Sequence, residues 1–238
     1  MAFSPTVMGD RGRADRKLRV LTANLYGERL DLEGFRVLLK DLDPDVVLAQ
    51  ELSFRAADVL AEFLPHGLLV PAPGYDGRGL ALKAPGHLQI LPMAYRDGLI
   101  ARLAPPAWPG SVEIVNIHMA NPIVWPPWAS LRLRRQQLDA LTAHLARPAV
   151  RLVGGDFNAS PAWPVYRRLA AHLDDAAKLW AKQQGTRPAR TWGPTPGAPR
   201  LLRIDHVFLE NLKPLDVQVV NLPGSDHNGL MVDVRFGQ

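Results

Sequence analysis

The strongest constraint on the fold is a strand–helix–strand pattern near the start of the chain. The segment LRVLTANLYG is rich in Leu and β-branched residues, as in a buried strand, and it ends in a polar loop at Asn24. Apolar residues then recur at helical spacing from Leu32 to Leu42, and Pro44 stops that helix. The next segment, DVVLAQE, predicts a second buried strand with Glu51 just past its end. This β-α-β unit indicates an α/β fold in which helices cover a sheet.

The same alternation continues along the rest of the chain. Ser53 can cap a helix that runs to about Leu64, while residues 65–98, dense in Pro and Gly, predict short strands and loops. Further strands are predicted in GLIARLA, SVEIVNIHM and AVRLVGG and near 201–209, 214–220 and 229–236, and further helices over 131–145 and from Pro164 to about Trp180. No linker stands out. We therefore predict an N-terminal tail at 1–17 and a single domain at 18–238.

Composition limits the chemistry and the partners of the chain. The chain carries 28 Lys and Arg residues against 23 Asp and Glu residues, a formal net charge of +5. A pI of about 9.8 favours polyanionic partners such as nucleic acid, phosphorylated ligands or acidic membrane surfaces. There is no cysteine, which excludes disulfides, thiolate nucleophiles and Cys-ligated zinc. Any catalysis must therefore use oxygen and imidazole groups. The sequence contains no feature from which a protein partner can be inferred.

The N-terminal segment bears on localisation. The first twenty residues contain no apolar core of a signal peptide, and no other stretch is apolar over the length of a membrane span. We therefore expect a cytoplasmic protein. A chain trimmed of an upstream anchor would have the same sequence, so this expectation concerns the printed chain only.

Carboxylates, amides and imidazoles occur at or near the ends of the predicted apolar strands. These residues are Asn24, Glu51, His118, Asp156, Asn158, Asp205, Asp226 and His227. Strand ends that face one edge of a covered sheet converge on a common crevice, so scattered polar side chains can meet there. Carboxylate and amide oxygens are ligands for a hard cation such as Mg²⁺, and an adjacent acid can orient a histidine toward a phosphate.

Single members of this set also have purely structural interpretations. Asn24 and Asn158 could be turn formers, because Asn tolerates unusual backbone angles. His118 could be a partly buried strand residue whose hydrogen bonds are satisfied locally. For His206, whose side chain alternates away from Asp205 along the strand, we expect that structural role. The coincidence of so many polar residues at strand ends favours a functional site for the remainder.

Six segments carry a family resemblance that covers nearly the whole chain. TANLYG, LAQEL, NIHM, GGDFNASP, RIDHVFL and GSDHNGL, in this order from residue 22 to 230, resemble the endonuclease/exonuclease/phosphatase superfamily of metal-dependent phosphoesterases. GDFN and SDH at this separation are the specific part. TW at 191–192, followed by RIDHVFL and GSDH, is most similar to small bacterial members of uncertain substrate. The resemblance implies a DNase I-like four-layer α/β sandwich: two mixed β-sheets packed face to face, helices outside, and a site at one edge.

The resemblance also implies a divalent-metal site. Glu51 would be the principal Mg²⁺ ligand, with Mn²⁺ as the alternative ion, and Asn24 and Asp226 would lie close to the metal. Many nuclease members place an acid or amide two positions after the first Asn, and this chain has Tyr26 there. Metal binding would then depend more heavily on Glu51 and water, while Tyr26 would contact substrate or simply pack.

The catalytic roles follow from the same resemblance. Asp156 would orient or deprotonate the attacking water, and the two glycines before it would let the backbone turn tightly into the site. Asn158 would hold the water or a phosphate oxygen. His227, paired with Asp205, would bind and neutralise the phosphoryl oxygens, and His118 would contribute a further donor.

Three functions are consistent with this inventory. The first is a Mg²⁺-dependent nuclease or other phosphodiesterase, which the basic pI and Arg132, Arg134 and Arg135 favour. The second is a phosphatase or phospholipase-type enzyme on a phosphorylated lipid or small molecule, with WPPW at 125–128 facing a membrane or headgroup. The third is a non-catalytic binding module, disfavoured because every expected catalytic residue type is present. Fold alone does not choose among them.

Residues 119–135, MANPIVWPPWASLRLRR, are predicted to form the substrate-selecting wall of the site. Trp125 and Trp128 would present flat aromatic surfaces on a stiff, proline-containing loop directly after the NIHM strand. Arg132, Arg134 and Arg135 would contact phosphates. The alternative is a hydrophobic loop buried under the following helix, since Trp is usually well buried.

Overall fold

The computed structural model describes residues 17–106, 108–123 and 126–237. The predicted N-terminal tail, residues 1–17, lies outside the described residues except for Lys17. None of the helices in these ranges is both long and apolar enough to cross a membrane.

The described ranges form twelve strands and five α-helices. The strands are β1 (Leu18–Asn24), β2 (Val46–Gln50), β3 (His66–Val70), β4 (Arg78–Leu82), β5 (His87–Leu91), β6 (Gly98–Leu103), β7 (Val112–His118), β8 (Arg151–Asp156), β9 (Asp174–Asp175), β10 (Asp205–Glu210), β11 (Leu212–Asn221) and β12 (Asn228–Phe236). The helices are α1 (Leu32–Leu42), α2 (Phe54–Phe63), α3 (Pro127–Leu145), α4 (Pro164–Ala170) and α5 (Ala176–Gln183). Ser53 caps α2 as predicted, accepting a hydrogen bond from the Ala56 N–H at 3.3 Å.

The strands form two six-stranded sheets. The first has the order β11-β12-β1-β2-β4-β3, and the second has the order β5-β6-β7-β8-β10-β9. Each sheet is mixed, because β1 and β2 are parallel in the first and β7 and β8 are parallel in the second, while the other pairs are antiparallel. The first parallel pair is joined through α1, which confirms the β-α-β unit.

Apolar side chains on alternating strand positions build a four-layer core. Val20 and Leu48 of the first sheet pack with Leu152 of the second in one buried cluster, so the sheets lie face to face. Leu21 points to the opposite side of β1 and packs with α1 and α2 residues such as Phe35. On the outer face of the second sheet, residues of α3 and α4 form a third cluster with β7, β8 and β10. The predicted sandwich, with helices outside two mixed sheets, is confirmed.

Strand registers bring the predicted polar positions to one edge of this sandwich. In the first sheet Asn24 pairs with Gln50, the residue before Glu51. In the second sheet Asp156 pairs with His118 on one side and with Asp205 on the other. Period-two alternation would otherwise spread these side chains over both faces, but their position at the strand ends lets them turn toward a shared edge.

Three predicted elements differ from the observed ones. The helix predicted from Pro164 to about Trp180 is two helices, α4 and α5, separated by β9. Asp175 explains the break, because its side chain caps α5 by accepting the Lys178 N–H at 3.0 Å and also accepts the Tyr166 hydroxyl at 2.6 Å. The strand predicted at 201–209 begins only at residue 205, since residues 201–202 pair with Trp192 instead. The helix predicted over 131–145 begins earlier, at Pro127, and Leu131 within it is 58% exposed.

Gly154 and Gly155 do not form the predicted tight turn; both lie inside β8. A Cβ on Gly155 would lie 1.9 Å from the Ile117 carbonyl oxygen, and its φ is +143°. A Cβ on Gly154 would lie 2.6 Å from the Leu48 Cδ1 of the facing sheet. The glycines therefore let β8 approach both β7 and the first sheet closely, which is what places Asp156 at the junction of the sheets.

We expect Gly155→Ala to lower the free energy of unfolding by more than about 2 kcal/mol, because the new methyl meets a backbone oxygen and φ disfavours an L-residue. Gly154→Ala is the matched control, with a loss of about 1 kcal/mol, because the end of the Leu48 side chain can shift. Urea denaturation measures both. A loss at Gly155 no larger than that at Gly154 would contradict this account.

Candidate active site

A cleft of about 530 Å³ opens at the edge where the polar strand ends meet. Five residues that carry carboxylates or imidazoles form its inner part, namely Glu51, His118, Asp156, Asp226 and His227. The remaining lining residues are Tyr26, Tyr75, Asp76, Tyr95, Arg96, Asn121, Pro122, Ile123, Asn158, Ser160, Trp163, Trp192, Leu202 and Ile204. Asn24 and Asp205 are buried and bonded to this inner part, so the structure brings together all eight predicted strand-end residues.

The carboxylate of Asp156 lies at the centre of this arrangement. Its Oδ2 accepts hydrogen bonds from the Asn24 Nδ2 at 3.1 Å and the Asn158 Nδ2 at 3.2 Å. The same oxygen lies 3.7 Å from the His118 Nε2 and 4.0 Å from the His227 Nε2. Burial raises the pKa of Asp156 to about 6, although the nearby His227 acts in the opposite direction. The group is thus a carboxylate at neutral pH that binds a proton more readily than an ordinary Asp.

The loop after β8 is held by local hydrogen bonds. The backbone N–H of Asn158 donates to the Asp156 Oδ1 at 2.8 Å, an Asx-type turn. Asn158 has a φ of +48°, and its Nδ2 also donates to the Met119 carbonyl at 3.0 Å. The amide thereby ties this loop to the end of β7 and orients the neighbouring carboxylate.

Asn24 links Glu51 to the same centre. Its Nδ2 donates to the Glu51 Oε1 at 3.0 Å, while its Oδ1 accepts the Tyr26 N–H at 3.1 Å. The second oxygen of Glu51, Oε2, is buried and has no hydrogen-bond partner among the described residues. Burial raises the pKa of Glu51 to about 7, and the charges of Asp156 and Asp226 act in the same direction. A carboxylate in this state is a ready ligand for a cation.

His227 and Asp205 form a buried pair. The His227 Nδ1 donates to the Asp205 Oδ2 at 2.9 Å, and Oδ1 of the same carboxylate is 3.1 Å away. Burial alone would lower the pKa of His227, but the carboxylates of Asp205, Asp156 and Asp226 raise it to about 10. The imidazole is therefore protonated at neutral pH, and its Nε2–H is available on the side of the cleft.

Asp226 reaches the cleft from the adjacent position on the same loop. Its Oδ2 accepts the Trp192 indole N–H at 3.1 Å, and its Oδ1 is buried without a hydrogen-bond partner in the described part of the chain. Trp192 was present in the TW pair noted in the sequence, but the pair gave no indication of this contact. The cleft thus contains two buried carboxylate oxygens without a hydrogen-bond partner among the described residues, one on Asp226 and one on Glu51; we call them the orphan oxygens.

Arg200 holds the loop that carries Asp226 and His227, a role that the sequence does not reveal. Its guanidinium donates to the Asn228 Oδ1 at 2.8 Å and to three backbone carbonyls, including the Asp226 carbonyl at 2.7 Å. The loop that carries His227 is also tied to β1, where the Ser225 Oγ donates to the Asn24 carbonyl at 2.8 Å. These bonds fix the position of the loop that carries His227 from outside the cleft.

His118 is held beside a second unpredicted residue, Arg96. The Arg96 Nη1 is 3.4 Å from the His118 Nε2, and Arg96 is itself ion-paired to Asp76 at 2.9 Å. Burial, assisted by the charge of Arg96, lowers the pKa of His118 well below its usual range. His118 is therefore neutral, and it differs in charge from His227 across the same Asp156 carboxylate.

Aromatic side chains form one rim of the cleft. Tyr26 and Tyr75 are stacked, with ring centroids 6.1 Å apart and planes at 30°. Tyr95 and Trp163 also line the cleft and are both exposed. Tyr26 and Tyr95 have positive φ, at 58° and 70°, a backbone conformation that bulky residues rarely adopt. Such strain near a cleft is characteristic of functional positions.

Of the other predicted substrate-binding residues, Trp128, Arg132 and Arg135 do not line this cleft. From the predicted wall at 119–135, Asn121, Pro122 and Ile123 do line it. Trp125 lies outside the described residues, and Trp128 is 69% exposed on α3. Arg132 and Arg135 are exposed on the same helix, the latter 4.0 Å from Asp139. The position of α3 on the outer face of the sheet explains their orientation away from the inner cleft.

Arg134 has a different role from the predicted phosphate contact. It is buried, and its guanidinium donates to the Ala120 carbonyl and, at 3.3 Å, to the Phe157 carbonyl. It therefore fastens the loops that follow β7 and β8. His206 is buried as expected, with Nε2 2.7 Å from the Ala159 carbonyl oxygen.

The donor set can accommodate a metal ion in two ways. Ligand atoms of Asp156, Asp205 and His227 all lie within 4.8 Å of one another and could hold one. The Nδ1 of His227, however, already donates to Asp205, and its raised pKa keeps the ring protonated. The orphan oxygens of Glu51 and Asp226 are the better fit, because they are hard ligands with no other bond in the described structure.

Comparisons with known proteins identify the family of this chain and agree with its fold. A sequence model of the Endonuclease/Exonuclease/phosphatase family matches residues 21–227, a range that includes every residue of the cluster. A search of curated proteins finds no match. Among solved structures, an endonuclease/exonuclease/phosphatase from Beutenbergia cavernae DSM 12333 is 21% identical with a TM-score of 0.69, over 93% of this chain and 72% of that chain.

Two further similar structures contain DNA. The 3′ phosphatase NExo from Neisseria, bound to a product DNA hairpin, is 19% identical with a TM-score of 0.70, over 93% of this chain and 100% of that chain. D. rerio TDP2, complexed with a single-strand DNA product, is 18% identical with a TM-score of 0.66, over 92% and 99%. The structures share the fold, and the sequence match covers most of the chain: the protein belongs to the endonuclease/exonuclease/phosphatase family.

Proposed function

We propose that the protein is a divalent-metal-dependent phosphodiesterase that acts on nucleic acid. The observation that carries this proposal is the convergence of three carboxylates, on Glu51, Asp156 and Asp226, with a protonated His227 in one cleft. Family membership supports the broader class, because the family name covers nucleases and phosphatases, which hydrolyse phosphoesters.

Glu51 and Asp226 would hold the metal, with Mg²⁺ the preferred ion and Mn²⁺ the alternative. Their orphan oxygens supply hard ligands, and Asn24 fixes the Glu51 carboxylate through its other oxygen. The Asn24 Nδ2 faces the two carboxylates, so this residue positions ligands rather than binding the ion itself in this geometry. A bound divalent cation would neutralise phosphoryl oxygens and stabilise the leaving oxygen.

Asp156 would orient the attacking water and accept its proton. Its pKa of about 6 leaves it ionised at neutral pH, near the range where a general base is most effective. The hydrogen bonds from Asn24 and Asn158 fix the direction of its lone pairs. The water itself would become the new oxygen of the phosphate, and no covalent enzyme intermediate is required.

His227 would donate from Nε2 to a non-bridging phosphoryl oxygen. Asp205 holds the opposite nitrogen, which sets the ring orientation and keeps the ring charged. A fixed cation of this kind stabilises the negative charge that develops on the phosphoryl group in the transition state.

The aromatic rim favours nucleic acid over lipid. Exposed Tyr75, Tyr95 and Trp163 can stack on nucleobases, an interaction that every base can make. Two structural neighbours are complexed with or bound to a DNA product. The lipid alternative depended on the WPPW loop, whose Trp128 does not line the cleft, so the described residues give it no support. The NExo neighbour keeps a second candidate open, a phosphatase acting on nucleic-acid ends.

We expect Glu51→Gln to reduce Mg²⁺-dependent hydrolysis of bis-p-nitrophenyl phosphate by at least about 100-fold, because a neutral amide replaces the main cation ligand. Glu33→Gln, which removes an equal charge from an exposed position on α1, is the control and should retain activity. Steady-state rates with Mg²⁺ and with excess chelator measure the effect. Full turnover in chelator, or an unaffected Glu51 variant, would refute the proposal.

The His227–Asp205 pair predicts a non-additive mutant cycle. His227→Ala should lower kcat by about 100-fold, in the range of a positioned phosphoryl donor. Asp205→Asn should also slow turnover, because the imidazole loses the charge that keeps it protonated. The double variant should be no slower than His227→Ala, since the two residues act as a unit. Additive losses in kcat would show that the pair does not work together.

A further inference from the structure

A second groove lies beside the cleft and shares part of its wall. This groove, of about 730 Å³, shares Ser160 and Leu202 with the cleft. Ser160 belongs to the loop that carries Asn158, and Leu202 pairs with Trp192, whose indole contacts Asp226. The two cavities therefore meet at the loops that position the proposed catalytic residues.

The second groove is lined by cations and by no carboxylate. Its charged residues are Arg167, Lys178, Arg187, Arg190 and Arg203, and we call it the basic groove. Arg203 is buried, with its Nη1 2.7 Å from the Asp175 Oδ2 and its guanidinium 5.4 Å from the Tyr166 ring centroid, so its charge is compensated. The other four cations are exposed, and none forms an ion pair within the described ranges.

Four uncompensated positive charges around one groove repel one another, and an anion that spans the groove would relieve that repulsion. Elsewhere in the described structure many exposed cations have an acidic partner, as Arg36 has with Glu62 and Lys83 with Asp43. Arg203, which the Asp175 carboxylate holds in place, lies in the groove next to the start of β10, the strand that carries Asp205. The groove is thus a cationic site that leads toward the cleft.

We propose that the basic groove binds the phosphate backbone of a single nucleic-acid strand whose scissile phosphate lies in the cleft. This proposal rests on the phosphodiesterase function proposed above and names the form of its substrate. A positively charged groove that follows a backbone, together with exposed aromatic rings that stack on unpaired bases, is the arrangement that binds single strands. Here the groove supplies the charge, and the aromatic rim of the cleft supplies the rings.

One segment of the chain connects the two cavities and indicates the path of the nucleic-acid strand between them. Arg187 and Arg190 lie in the groove, and the chain continues directly to Trp192 at the cleft. Successive phosphates that leave the cleft past Leu202 would contact these two arginines. Arg167 and Lys178, on α4 and α5, would contact the backbone in the same groove.

The test compares two double variants that each remove two charges. Arg187→Gln with Arg190→Gln changes the groove. Lys213→Gln with Arg235→Gln is the matched control, because these exposed residues are cross-strand neighbours on β11 and β12 at the end remote from His227. Binding of a fluorescein-labelled 12-nucleotide oligo(dT) is measured by anisotropy over a salt series in EDTA, where no turnover occurs.

We expect the groove variant to raise the Kd about 10-fold. A plot of the logarithm of the association constant against the logarithm of the salt concentration should become less steep by roughly 1.4, or about 0.7 for each lost phosphate contact. The control should stay within about twofold of the wild type. Equal losses in both variants, or no loss in either, would overturn the proposal. So would a wild-type Kd for a 12-base-pair duplex as low as that for the single strand.

A second readout separates this proposal from the function on which it rests. The ratio of kcat/KM on the 12-mer to that on a dinucleotide, with Mg²⁺, should fall in the groove variant and not in the control. If the wild type hydrolyses neither substrate, the proposed function fails, while the anisotropy result still decides the groove. Should circular dichroism show that the groove variant is unfolded, Arg167→Gln with Lys178→Gln replaces it with the same expectations.

Discussion

The buried carboxylate of Asp156 is the interaction on which the rest of the site depends. It lies at the end of β8, one of the two central strands of its sheet. Its Oδ2 accepts a hydrogen bond from the Asn24 side-chain amide of the first sheet and another from the Asn158 side-chain amide of its own loop. Two imidazoles that differ in charge flank the same oxygen: His118 is neutral, and His227 is protonated. Because burial opposes ionisation, the carboxylate requires these donors, and their positions in turn fix the edges of both sheets.

Backbone strain is concentrated around this centre. Four of the six non-glycine residues with positive φ in the described chain line the cleft, namely Tyr26, Glu51, Tyr95 and Asn158. Conformations of this kind cost free energy and persist only where the surroundings enforce them. Local hydrogen bonds hold two of these positions: the Tyr26 N–H donates to the Asn24 Oδ1 at 3.1 Å, and the Asn158 N–H donates to the Asp156 Oδ1 at 2.8 Å. The apolar layers supply the stability that tolerates this cost.

The sequence predicts the elements that depend on local periodicity. The strands that end at Asn24 and His118 and the helix capped by Ser53 follow from apolar spacing and capping, and the polar strand ends follow from the same pattern. The roles of Arg96, Arg134 and Arg200 could not be predicted, because each joins loops that are distant in sequence and no spacing encodes their meeting. The break between α4 and α5 depends on tertiary bonds of Asp175. Trp128 is close to His118 in sequence, but this closeness did not predict that α3 places Trp128 on the outer face of the sheet and not in the cleft.

The central claim is that the cleft carries buried negative charge that a divalent cation neutralises. The pKa of Glu51 is raised from about 4.5 to about 7, so without the ion the folded state holds the proton more tightly than the unfolded state, and stability falls as pH rises through that window. Thermal unfolding with and without Mg²⁺ tests this directly. We predict that Mg²⁺ raises the Tm of the wild type more at pH 8 than at pH 5, and that Glu51→Gln removes the increase. An equal increase at both pH values, or one that survives in the variant, would contradict the account.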